Sequence, residues 1–391
     1  MSTDETVSTQ VNAAFQASRE VRPSAITGRE TGLELLQSAF PAFVGRQVRE
    51  AARLMQKSID EGNFVFTTMS GAMTPAGLHR SCIVPLIERG CIDVLTTTGA
   101  NLYHDAHRIL GHRLREVAPD AGDTMLRTAR IIRIYDIGFP EDVLLKTDQL
   151  FGWLLNTEEF QRSMTTAEMH NRLGRRLYEL EEQLGVDQHS LLATAWKYGV
   201  PIFVGAPQDG SIFLNVVKLR AVYGDALKFN LDIAADVYAM AAMQWLAQNE
   251  GQTSVWILGG GVPKNYTLQG EPTLGQILEL EARGFDIDVQ FCVDPVDNGA
   301  LSSCPAGEGH TWGKVSAECV EFNSVYCHCD VTAVFPWVVH ALFQGGAMRE
   351  PKRMYDRLPE AIARLDADVT GRRDALESSL RVSPTELGPE G

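Results

Sequence analysis

The first strongly periodic stretch of the chain is FVGRQVREAARLMQKSIDEG, in which Val44, Val48, Ala51, Ala52, Met55 and Ile59 recur every three or four residues. That spacing places them on one face of a helix, and Gly62 ends it. A repeating pattern follows. FVFTT (64–68) is an apolar run of strand length, MSGAM is a turn of small residues, and TPAGLHRSCIVPLIERG predicts a helix with Thr74 as N-cap and Pro75 in its first position. IDVLTTT (92–98), the turn GAN and the helical LYHDAHRILGH repeat the scheme. A helical middle at about 164–184, capped by Thr165 or Thr166, and the helical HSLLATAWKYG come next. The strand VPIFVGA (200–206), the turn PQDGS, a helical stretch at about 225–248, and the strands SVWILGGG (254–261) and FDIDVQFCV (285–293) complete it.

Five apolar runs that end in small or polar residues, most of them followed by helical periodicity, predict an α/β fold. It is a doubly wound, mostly parallel, Rossmann-like sheet with helices on both faces. Residues 1–38, polar at their start, predict a flexible or partner-docked extension. Residues 39–350 form the single main domain, and 351–391 predict one or two exposed helices and a disordered tail. In such a sheet, ligands sit beyond the carboxyl ends of the strands, where backbone amides and helix N-termini favour phosphates.

Composition narrows the function. The 391 residues are 45% hydrophobic, enough for a full core, and 35 Lys and Arg against 50 Asp and Glu give a net charge of -15. That balance repels nucleic acid and favours cationic ligands. Seven cysteines, at 82, 91, 292, 304, 319, 327 and 329, form no evenly spaced framework, so reduced thiols and a cytoplasmic location are expected. The opening MSTDETVSTQ is polar and acidic, unlike a leader, and no run approaches the ~18 apolar residues of a membrane helix.

Individual motifs carry unequal weight. Gly259, Gly260 and Gly261 permit close approach of a pyrophosphate but do not spell G-x-G-x-x-G, so a plain tight turn explains them as well. His104 and His107 stand one helical turn apart with Asp105 and His112 nearby. Their spacing is not H-E-x-x-H, and structural histidines are expected rather than a metal site. Cys327 and Cys329 in CHC read as packed strand residues rather than zinc ligands. Lys314, in EGHTWGKVSAE, is the unusual lysine: Trp312 precedes it, Gly313 gives access and Glu308 lies just upstream. Burial beside an indole lowers an amine's pKa and frees its lone pair for imine chemistry.

LTTTGANLYHD, VPIFVGAPQDGS, ILGGGVPKN, TWGKV and CDVTAVFP occur in the order seen in the deoxyhypusine synthase family, and the chain resembles its bacterial deoxyhypusine synthase-like branch from about Ala39 to Gln344. The resemblance implies NAD-dependent aminobutyl transfer. A polyamine, usually spermidine, loses hydride to NAD, and the lysine of WGK attacks the resulting imine and releases 1,3-diaminopropane. An acceptor amine then displaces the lysine, and the retained hydride reduces the product. It implies Lys314 as the nucleophile, Trp312 against the aliphatic chain, Glu308 on a terminal ammonium and Asn265 in the substrate site. Cofactor contacts carry over to Ser70, Gly71, Thr98, Gly99, Asp209, Gly260, Gly261 and Asp330. A homotetramer with sites across a dimer interface is expected, with no metal.

The departures from the family pattern are specific. Asn265 stands where polyamine-oxidising members carry a histidine, and Asn cannot take a proton. An acidic residue after DGS is replaced around Leu214, and glutamates after the second cofactor turn are replaced by Tyr103 and His104. Three functions follow as alternatives: a homospermidine synthase-like transferase acting on small amines, a deoxyhypusine synthase acting on a translation-factor lysine, or a non-catalytic homologue that binds NAD or polyamine.

Overall fold

The computed structural model describes residue 7, residues 11–13 and residues 15–383. The expected disordered tail lies outside the described residues from position 384 onward. Six strands form the main sheet: β1 (Phe64–Met69), β2 (Val94–Thr97), β3 (Ile202–Phe203), β4 (Thr253–Leu258), β5 (Ile287–Phe291) and β6 (Ser324–Cys327). All neighbours pair in parallel, in the order β6-β5-β4-β1-β2-β3. The chain winds outward from β1, returns to the centre and winds outward the other way. This is the Rossmann-like arrangement the pattern predicted, and it leaves a crevice where β1 and β4 end side by side.

The principal helices are α1 (Gly32–Ala39), α2 (Phe43–Asp60), α3 (Gly99–Ile109), α4 (Glu141–Leu155), α5 (Thr166–Leu184), α6 (Ser211–Tyr223), α7 (Ile233–Glu250), α8 (Val262–Leu268), α9 (Val331–Gln344) and α10 (Leu358–Thr370). Every residue of β1 and β4 is buried, as a parallel sheet covered on both faces requires. Alternate side chains feed two cores. Val65 and Met69 join the one built with α2 and α9, while Phe64 and Phe66 join the one built with α7. Phe66 meets Phe285 edge to face at 5.4 Å.

Several boundaries differ from expectation for local reasons. Thr74 is not an N-cap: its hydroxyl donates to Asn101 O at 2.7 Å, while Asn101 Oδ1 accepts from Met73 N at 2.7 Å, so the turn is pinned sideways to α3. The following helix starts later, as the π-turn His79–Ile83 and then Val84–Glu88. Thr98 leaves the strand to cap α3, accepting from Asn101 N, so the expected GAN turn is the first turn of that helix. The helical stretch placed at about 225–248 starts at Ile233, capped by Asp232, because residues 230–231 pair with Ser163–Met164. α6 follows PQDGS directly. An antiparallel insertion of Arg115–Glu116, Ile131–Ile134 and Ile137–Pro140, leading into α4, was not anticipated. Its strands are short and half-exposed, so they carry little periodic signal. Finally, α10 was expected to be exposed. It instead buries Ala361 and Leu365 against α7, with Tyr238 donating to Asp366 and Trp245 to Asp368, each at 2.7 Å.

Candidate functional site

The turns after β1, β2, β3 and β4 converge on a cavity of about 310 Å³ at the carboxyl edge of the sheet. The in-register pairing of Met69 with Leu258 brings Ser70 and the three glycines out together, and Ser70 Oγ donates to Gly260 O. Thr98 Oγ1 ties the second turn to the first by donating to Gly71 O at 2.6 Å. Two contacts forbid a side chain. A Cβ on Gly260 would stand 2.2 Å from Ser302 O, and one on Gly99 would stand 2.8 Å from Gly210 Cα. Gly261 holds φ +80, a left-handed conformation that favours glycine. α3 starts at this edge, and its free N–H groups and dipole favour an anion there. Ser70, Gly71, Thr98, Gly99, Asp209, Gly260 and Gly261 all line the cavity. Asp330 does not line it. It sits beyond β6, where it caps α9 by accepting from Thr332 N at 2.8 Å.

Lys314 lies in a lobe that follows the short helix Ala306–Thr311 and is tied to the sheet, its carbonyl accepting from Phe285 N at 3.0 Å just before β5. Its Nζ is half-buried, donates to Asn265 Oδ1 at 3.4 Å and stands 5.8 Å from the centroid of the Trp312 ring. Burial lowers its pKa from the ordinary 10.5, against the opposing pull of Cys304 and Glu308. Trp312 is 55% exposed, and Glu308 is exposed as well. α8 connects lobe and cavity: Val262 and Pro263 line the cavity, and Asn265, on the same helix, reaches Lys314.

Between these two residue sets lies Lys264, which the motif reading passed over. It is 5% exposed and donates to Gln290 Oε1 at 3.0 Å, Ser302 O at 3.3 Å and Cys304 O at 2.8 Å. These bonds clamp the loop that carries Cys304 against β5. Burial lowers the Lys264 pKa and, with Lys264 opposing it, raises that of Asp288 to about 6. The available signal was a lysine directly after a glycine turn, in a position too apolar to be a surface charge.

The deoxyhypusine synthase family model matches residues 34–342. The chain belongs to the deoxyhypusine synthase family. It is 40% identical to a "Deoxyhypusine synthase-like protein" of Nostoc sp. (strain PCC 7120 / SAG 25.82 / UTEX 2576) over 91% of this chain and 92% of that one. It is 33% identical to "Probable deoxyhypusine synthase 2" of Methanosarcina mazei over 77% and 83% respectively. Its fold matches a crystal structure of a proposed deoxyhypusine synthase from Entamoeba histolytica with TM-score 0.55 and 16% identity, covering 84% of this chain and 99% of that one. The family is one of transferases.

Of the positions read as departures from the family pattern, Asn265 faces Lys314 and the other three fall together. Tyr103, His104 and Leu214 line one further cavity, of about 540 Å³, beside α3 and α6. His104 Nδ1 lies 2.9 Å from His107 Nε2, whose other ring nitrogen lies 2.7 Å from Thr147 Oγ1. Burial pushes the His104 pKa down to about 4. Asp105 is committed elsewhere, 2.6 Å from His79 Nε2. Among the described residues no cluster of His, Cys, Asp and Glu is arranged to hold a metal ion, and Cys327 is packed at the end of β6. No helix of the described residues is long and apolar enough to cross a membrane.

Proposed function

We propose that the protein is an NAD-dependent transferase that moves an aminobutyl group between polyamines through an imine on Lys314, in the manner of a homospermidine synthase. The observation that carries this is the setting of Lys314. It is an amine whose charge is weakened by burial, reached by the same helix that helps line a glycine-walled cavity at the switch point of the sheet.

The cavity suits NAD. Its backbone cannot carry side chains at Gly99 and Gly260, its edge offers the N-terminus of α3, and Asp209 supplies a carboxylate of the kind that accepts from ribose hydroxyls. NAD held there would supply a hydride acceptor for the amine-bearing carbon and the same hydride for the product, so the overall transfer would be redox-neutral. The chain's own residues do the rest. The neutral Lys314 Nζ adds to the carbon of the oxidised amine, the departing amine leaves with the bonding electron pair, and a carbon–nitrogen double bond to Nζ remains. Asn265 orients Nζ but takes no proton, so the proton shed by Lys314 passes, through the solvent that reaches this exposed lobe, to the nitrogen of the departing amine. Trp312 covers the alkyl chain, and Glu308 pairs with an ammonium.

Trp312 and Leu301, 55% and 57% exposed, offer apolar surface that a second copy would cover, in line with a homotetramer whose sites lie at a dimer interface. All seven cysteines are free thiols, consistent with a cytoplasmic setting.

The test is incubation of the purified protein with NAD, spermidine and putrescine, mass spectrometry of the amines, and borohydride trapping of an adduct on Lys314. New polyamine from amines alone supports the reading. Label that appears only on an added translation factor replaces it with deoxyhypusine synthesis. NAD binding without turnover, unchanged in Lys314→Ala, replaces it with a binding protein.

A further inference from the structure

The cavity beside α3 and α6 holds a carboxylate that the sequence motifs do not contain. Asp148, on α4, lines it together with Tyr103, His104, Leu144, Ile134 and Leu214. Tyr103 OH donates to Asp148 Oδ1 at 2.9 Å, and Asn215 Nδ2 donates to the same oxygen at 3.0 Å. Tyr103 and Asn215 are 2% and 3% exposed, so the carboxylate is held by two fixed donors. Both fall on Oδ1, which leaves Oδ2 for a ligand. The wall around it is largely aliphatic, and its one basic lining residue, Lys218, is exposed at the end of the lining segment of α6. His104, with its pKa pushed down to about 4, carries no charge at neutral pH.

The cavity adjoins the glycine-walled one. Ala100 lines the glycine-walled cavity and Tyr103 this one, one turn along α3, while Asp209 and Ser211 divide in the same way across Gly210. An oriented carboxylate facing aliphatic walls suits an ammonium on a flexible alkyl chain, with the charge on Oδ2 and the methylenes against Leu144 and Ile134.

We infer that Asp148 is the anchor of an alkylamine subsite, taking the place of the acidic side chains absent at Tyr103, His104 and Leu214. The inference rests on the aminobutyl-transfer reading for its role in catalysis, but binding alone tests it. The insertion between β2 and β3 thus supplies, through α4, a charge that the family pattern would place on α3 and α6. Lys218 disfavours a second ammonium at the rim, so the subsite holds one end of the amine.

Putrescine and spermidine are titrated calorimetrically into the full chain without NAD, with glutarate as an anionic control. Binding of the amines and not of glutarate is expected. Asp148→Asn weakens amine binding by about 10- to 100-fold, the range of a lost charge-assisted hydrogen bond. Leu214→Lys, at a position 60% exposed and therefore neutral for folding, abolishes it by placing a competing cation in the cavity. Lys218→Ala tightens it. Amine affinity unchanged in both Asp148→Asn and Leu214→Lys, with melting temperatures unaltered, overturns the inference, as does no amine binding by the parent protein. The two readings fail separately. Turnover with an unaltered amine KM in Asp148→Asn removes the subsite and leaves the transfer reaction. Asp148-dependent binding in a protein that never yields a trapped adduct removes the transfer reaction and leaves the subsite.

Discussion

The glycine-walled cavity and the Lys314 lobe are joined by α8 and are built in opposite ways. The cavity is made of backbone: four strand ends, glycines whose missing side chains leave the space, and hydroxyls that tie one turn to the next. The lobe is made of side chains. Its tryptophan and glutamate are exposed, and its lysine is held by one long hydrogen bond to an exposed asparagine. A backbone site is complete when the sheet has folded, because buried strands leave their ends no freedom. A side-chain site of this kind is finished by what lands on it.

The comparison predicts separable losses. The largest is Lys314→Ala, which removes the proposed nucleophile. Adduct trapping and amine transfer fall on the order of 10³-fold or more, while NAD affinity measured by fluorescence titration stays as in the parent protein. If NAD binding fell with it, the two regions would not be independent. Gly260→Ala does the reverse. Its new Cβ, 2.2 Å from Ser302 O, forces the 302 segment outward, and NAD affinity is expected to fall by about tenfold or more. Borohydride capture of an externally supplied aldehyde by Lys314 persists, which mass spectrometry of the tryptic peptide reads. Trp312→Ala comes next. It raises the KM for amine about 3- to 10-fold with little change in melting temperature, since the ring is 55% exposed and contributes little to the core.

The smallest effect is on pH dependence. Only neutral Lys314 adds to carbon, so capture of the aldehyde rises with pH through the lysine's pKa, with a midpoint below 10.5 because burial disfavours the ammonium. Glu308 stabilises the ammonium and so raises that midpoint. Glu308→Gln moves the profile toward lower pH, and a shift the other way would show that the carboxylate is not felt by Nζ.

Stability is separable in the same sense, since it rests on the sheet and its anchors rather than on the lobe. Arg349 pairs with the buried Asp93 at the start of β2 and donates to Gly90 O at 2.7 Å. Arg349→Met removes that carboxylate's ion-pair partner, leaving it the Val65 N–H, and is expected to cost about 3–5 kcal/mol in denaturant unfolding.

The strands and glycine turns were legible because a fully buried parallel strand is a short apolar run, and its end is marked by residues small enough to let backbone approach. The turns that line the cavity were therefore readable by position, and the individual contacts from Ser70 to Gly261 came from the family resemblance. The insertion at 115–140 and α4 were not, because half-exposed short strands lack a clean period. Asp148 was hidden with them: an aspartate on an amphipathic helix looks like a solvated charge until Tyr103, from another helix, is seen bonded to it. Thr74 misled because Thr-Pro before an apolar run is a cap signature, yet Asn101 from across the sheet edge offered its backbone groups a better partner.

The amino-acid sequence by itself determined the layer structure, the doubly wound class of the sheet and the glycine edge, since these follow from local size and periodicity, while Lys314 stood out by its neighbours and by the family resemblance. Only the tertiary structure decided which charged groups meet. Pairing Lys314 with Asn265, clamping Lys264 beneath the Cys304 loop and delivering Asp148 to α3 depend on contacts between segments distant along the chain, and their effect comes from burial, which no local pattern of residues encodes.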